Sequence, residues 1–91
     1  TILQEVLEMA PLDVDIRISL IELLEGEERW DEALQNYISL AETYQQLGDF
    51  ERASDTFQAS ERLAERLNSE PAIIVKIKHF IADIYDEKIN C

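Results

Sequence analysis

Glu28-Arg29-Trp30-Asp31-Glu32-Ala33 and Gly48-Asp49-Phe50-Glu51-Arg52-Ala53 are two versions of one motif, 20 residues apart. Each carries an aromatic residue, a pair of charged residues and an alanine. The pattern has a local physical reading: the aromatic ring plugs the gap where one helix ends and the next begins, and the alanine lets the two backbones approach closely. One helical turn beyond each alanine stand Tyr37 and Phe57, on the face that would fill the space beside that approach. Trp30 is read as such a plug and not as a ligand-stacking residue, so its replacement by alanine is expected to cost roughly 3–5 kcal/mol.

Working outward from the motif, punctuation divides the 91 residues into five helices. Residues 2–10 place Ile2, Leu3, Val6, Leu7 and Ala10 on one stripe, closed by Pro11, which cannot donate into a continuing helical ladder. Asp13 suits the N-cap of a second helix that runs to Gly26 and is apolar on more than one side (Val14, Ile16, Ile18, Leu20, Ile21, Leu23, Leu24). The third helix opens near Trp30 and ends before Gly48, with Leu34, Ile38, Leu40, Ala41, Tyr44 and Leu47 among its apolar residues. The fourth opens near Phe50 and frays at Asn68-Ser69, and Pro71 is placed as the first residue of a fifth that holds Ile73, Ile74, Ile77, Phe80, Ile81, Ile84 and Tyr85. Connections this short make consecutive helices lie antiparallel and side by side. With only two glycines and two prolines the chain lacks the turn residues of an all-β fold. The fold class is therefore all-α, an antiparallel helix-turn-helix stack in a single domain spanning residues 1–91. The first residue is Thr1 and not Met, and the domain is expected to be truncated at both ends.

The pattern resembles the tetratricopeptide repeat, a 34-residue helix-turn-helix unit with small and aromatic residues at set positions. Residues 34–67 match it through Tyr37, Leu40, Ala41 and Tyr44, then Ala53 and Phe57, with Gly48-Asp49-Phe50 at the turn and Glu65 in place of the closing proline. A second register over residues 14–47 uses Leu20, Ile21, Leu24, Ala33 and Tyr37, with Arg17 where the family has tryptophan. The registers overlap, so the third helix closes one unit and opens the next. The resemblance implies an α-solenoid whose concave face holds an extended peptide or a partner helix. Carried onto this chain, the face would consist of Asp15, Ile18, Glu22 and Glu25 on the second helix with Gln35, Ile38, Glu42, Gln45 and Gln46 on the third. The family's carboxylate clamp uses Lys, Asn and Arg at such positions, and none stands there. The partner expected is a protein or peptide segment that is basic or apolar.

Charge points the same way. Twenty acidic residues face eight basic ones, a net charge of −12, and residues 1–50 hold 12 of the acids with only 2 bases. Such a surface repels phosphate backbones and anionic headgroups, so neither nucleic acid nor a membrane is an expected partner. The apolar runs fall far short of the roughly 20 residues that span a bilayer. The single cysteine, Cys91, cannot form an internal disulfide, which makes the cytoplasm the default location.

No residue constellation points to catalysis or to a cofactor. His79 is the only histidine, with Asp83 one turn on and Asp86 and Glu87 beyond, but a metal site recruits ligands from several elements and there is no second His or nearby Cys. The carboxylate pairs Glu5/Glu8, Glu22/Glu25 and Glu61/Glu65 read as solvated faces, since an acid–base dyad needs one member isolated among apolar groups. The expected function is a non-catalytic protein-interaction scaffold, with a structural spacer or homo-oligomerisation segment as the alternative. Self-association is expected through residues 73–85, an apolar helix with no following helix in the chain to cover it.

Overall fold

The computed structural model describes residues 2–9, 13–68 and 71–89, those at 7, 8 and 87–89 by backbone alone. Expectations placed on Ala10, Pro11, Ser69 and Cys91, and on the side chains of Leu7, Glu8 and Glu87, lie outside the described residues. Five helices follow one another, α1 (Ile2–Met9), α2 (Val14–Gly26), α3 (Trp30–Gln46), α4 (Phe50–Arg66) and α5 (Pro71–Ile89), and no strand occurs among the described residues. The starts predicted at Asp13, Trp30, Phe50 and Pro71 are where helices begin. Asp13 caps α2 by accepting the Ile16 backbone N–H at 3.0 Å, and Asp49 caps α4 by accepting that of Arg52 at 3.2 Å.

The turns repeat more closely than the helices do. After α2, the Arg29 N–H bonds the Leu24 carbonyl at 2.8 Å and the Glu28 N–H bonds that of Glu25 at 3.0 Å. After α3, Asp49 bonds Tyr44 at 2.9 Å and Gly48 bonds Gln45 at 3.1 Å, the same pair of capping bonds. Asn68 to Glu65 at 3.1 Å starts a third. Each such turn needs one left-handed residue, supplied by Glu28 (φ 58°), Gly48 (φ 80°) and Asn68 (φ 52°), so the spacing of 20 residues runs through three turns. The second helix runs to Gly26, as expected, and the left-handed position falls two residues beyond it, on Glu28. The end of α4 is likewise a defined turn at Asn68 where fraying was expected.

Packing follows chain order. Among the described residues every extensive helix contact joins neighbours, α1 on α2, α2 on α3, α3 on α4 and α4 on α5. The molecule is a slab of 39 × 31 × 16 Å. The radius of gyration of 13.2 Å exceeds the roughly 12 Å of a compact chain this long. The core is accordingly divided along α3. One cluster joins α3, α4 and α5 through Leu34, Ile38, Ala41, Ala53, Phe57, Leu63, Ala64, Ile77 and Ile84; the other joins α2 and α3 through Leu20, Leu24 and Ala33, with Leu3 of α1 packed against it.

Ala33 and Ala53, the small residues of the motif, are fully buried. Two other expectations fail. Trp30, the first residue of α3, is 36% exposed and is no closed plug: with Leu63, Arg66 and Leu67 at the end of α4 it lines an open cavity. Ile38, expected to face solvent in the groove, is 7% exposed and belongs to the α3–α5 core, because α4 and α5 close over that side of α3.

Candidate partner groove

Alternation in a row of helices puts every second helix on the same side. The C-terminal halves of α2 and α4 thus flank the middle of α3, and between them lies an open depression of 660 Å³ lined by Glu25, Tyr37, Ala59, Arg62, Leu63, Glu65 and Arg66. Tyr37 forms its centre. The Tyr37 hydroxyl donates to the Glu25 Oε2 at 3.1 Å. Burial first, and then the Glu25 carboxylate, push the phenol above its ordinary pKa, while Arg66 acts in the opposite direction. Glu22 adds a smaller upward push.

The opposite wall is cationic. Arg62 and Arg66 stand one turn apart on α4, exposed, and neither forms an ion pair among the described side chains. Arg66 and Leu63 also line a smaller cavity of 150 Å³ under Trp30 and beside Leu67, so the indole continues the groove past its cationic wall. Tryptophan, tyrosine and arginine around apolar floor residues are the composition of energetically dominant positions in protein interfaces.

The predicted groove residues do not come together. Glu25 lines this depression, whereas Gln35 lines another, of 530 Å³, on Asp31, Glu32, Leu34, Leu67, Asn68 and Ile73 between α3 and α5. Asp15, Glu22 and Gln46 are exposed, and Ile18, Glu42 and Gln45 are half-buried. Glu42 is the charge nearest in effect to Arg17, whose side chain lies half-buried between α2 and α3. There the Arg17 Nη1 donates to the Asn36 Oδ1 at 3.0 Å while its Nε is buried without a hydrogen bond. Burial lowers the Arg17 pKa, and Glu42 offsets part of that cost, so this carboxylate serves the α2–α3 seam.

Arg62, Arg66, Leu63, Ala59 and Trp30 are groove residues that reading the chain missed, because it assigned the face to consecutive helices. The signal was present in the short connections, whose alternation makes α2 and α4, not α2 and α3, equivalent in direction. His79 and Asp83 are both exposed on α5, and among the described residues no three His, Cys, Asp or Glu side chains gather into a possible metal site. No described helix is long and apolar enough to cross a membrane. No family model, no curated protein and no solved structure matches the chain.

Proposed function

We propose that this protein is a non-catalytic interaction scaffold of tetratricopeptide-like type, which seats an extended peptide or a partner helix in the groove between α2, α3 and α4. The observation that carries the reading is the run of Tyr37, Leu63, Arg66 and Trp30, an aromatic and cationic strip left open along a concave surface. The partner segment is basic or apolar. An apolar side chain fits against Tyr37, Ala59 and Leu63, and a cationic residue beside it would meet Glu25 on the α2 wall. A net charge of −12 favours the approach of such a segment over an acidic one. A cytoplasmic setting, without nucleic acid or membrane as partner, belongs to the same reading.

Trp30 is the only tryptophan, so its emission reports occupancy of the groove directly. Titration with basic-apolar and acidic peptide pools should shift that emission with the first pool only, and Glu22→Lys/Glu25→Lys should abolish the shift. Tight binding of the acidic pool, or no response to either, would overturn the reading. A second reading, a structural spacer or homo-oligomerisation segment, is favoured by Val75 and Tyr85 on α5, which are 51% and 52% exposed.

A further inference from the structure

The placement of its arginines sets the groove apart from the rest of an acidic surface. The chain has five arginines. Arg29 pairs with Glu27 and Glu32, Arg52 pairs with Asp49, and Arg17 donates to Asn36 in the α2–α3 seam. Arg62 and Arg66 are the two left open, one turn apart on the α4 wall, and acids outnumber bases by 20 to 8, so carboxylates are not in short supply. Glu65 lines the same wall and pairs with neither among the described side chains, and one acid against two bases leaves that wall cationic. The α2 wall has the opposite sign. Glu25 is half-buried there and accepts one hydrogen bond, from the Tyr37 hydroxyl, which fixes its carboxylate and leaves most of its accepting capacity unused. Arg66 and Glu25 push the Tyr37 phenol in opposite directions, so both charges act across the same floor.

We infer that the occupant of the groove is a partner helix of mixed charge, with a base on one flank of its apolar stripe against Glu25 and an acid on the other flank against Arg62 and Arg66. The inference rests on the scaffold reading above and narrows its partner: the base is common to both, and the acid is the addition. Two guanidinium groups one turn apart can hold a carboxylate through paired N–H···O bonds. A segment with bases on both flanks would set one of them against these arginines, and a segment with acids on both would set one against Glu25. A helix is selected over an extended strand because the site makes three demands at once, two charged walls and an apolar floor of Tyr37, Ala59 and Leu63. Successive side chains of a strand point only to two opposite faces, whereas a helix presents an apolar stripe with a flank on either side.

Two synthetic helical peptides that share one leucine stripe test this. The first carries lysines along one flank and glutamates along the other, and the second carries lysines along both. Titrated into the whole chain and followed by Trp30 emission, the first should bind roughly tenfold or more tightly than the second, which brings lysines against Arg62 and Arg66. In Arg62→Glu/Arg66→Glu the order should reverse, with the two-lysine-flank peptide now the tighter ligand. Both positions are exposed, and an unchanged helical circular dichroism spectrum would show that the variant is folded; the comparison on the parent chain stands without it. Equal or tighter binding of the second peptide to the parent, or a preference that the charge reversal leaves in place, would overturn the mixed-charge inference and leave the basic-or-apolar reading standing. Emission that answers the basic-apolar pool but neither helical peptide would likewise overturn this inference alone, and emission that answers none of them would overturn both.

Discussion

Phe57→Ala is the substitution that tests most directly how the stack is held together. Phe57 is 0% exposed, sits where α3, α4 and α5 meet, and stacks on Phe80 with ring centroids 5.1 Å apart and planes 17° from parallel. Truncating a buried phenylalanine costs roughly 3–5 kcal/mol in transfer and cavity energy, and the lost aromatic pair adds about 0.5–1.5 kcal/mol. The total stability of a domain this size is roughly 5–14 kcal/mol, so this one change removes about a quarter or more of it. In a domain of this length about 1 kcal/mol moves the melting point by roughly 4–8 °C, and the variant should melt at least ~15 °C below the parent. Trp30→Ala is the internal comparison. Its indole is over a third exposed, which lowers the expected loss from the 3–5 kcal/mol range of a closed plug to about 2 kcal/mol. Thermal and urea unfolding followed by circular dichroism measures both. A Phe57→Ala protein melting within ~5 °C of the parent, or one more stable than Trp30→Ala, would refute the placement of the α4–α5 core.

Three further outcomes are expected. Glu28→Gly should raise stability by about 1 kcal/mol and Gly48→Ala should lower it by a similar amount, because the two positions share a left-handed backbone that only glycine adopts freely; urea midpoints moving in the same direction would contradict this. Asp13→Ala should cost about 1 kcal/mol by removing the acceptor for the Ile16 N–H, measured in the same way. The Tyr37 phenol has its pKa raised in the folded state, so the folded chain holds its proton to higher pH than the unfolded chain does. The contribution is fully present below about pH 10, the ordinary tyrosine value, and is lost as pH rises through the folded pKa. Phenolate absorbance should show one of the three tyrosines titrating late, and Tyr37→Phe should remove that step and flatten the fall in stability above about pH 10.

The helix starts were legible because their signals are local. Asp13 and Asp49 can cap only the helices that follow them, and Pro71 fits a first turn whose N–H groups have no helical partner. The buried alanines were legible for a related reason, since Ala33 and Ala53 recur one turn before Tyr37 and Phe57 in both copies of the motif. The left-handed residues were only partly so. Gly48 announces its turn, but Glu28 and Asn68 occupy the same conformation without a glycine; around Glu28 the two capping bonds to Leu24 and Glu25 offset the local strain. The groove was misplaced because exposure on α3 depends on which side α4 and α5 cover, and nothing in the periodicity around Ile38 encodes that choice.

The sequence by itself determined the number of helices, where each begins, and that short links fold them back on one another, since all three are decided by interactions within a few residues. Tertiary structure alone decided that α2 and α4 share a face, that Ile38 is inside and Trp30 stays part-exposed, and that Tyr37 meets Glu25 across the groove from Arg62 and Arg66. Those outcomes depend on how each helix is rotated about its axis, which is set by the summed packing of neighbours 20 to 40 residues away and not by any residue's own preference.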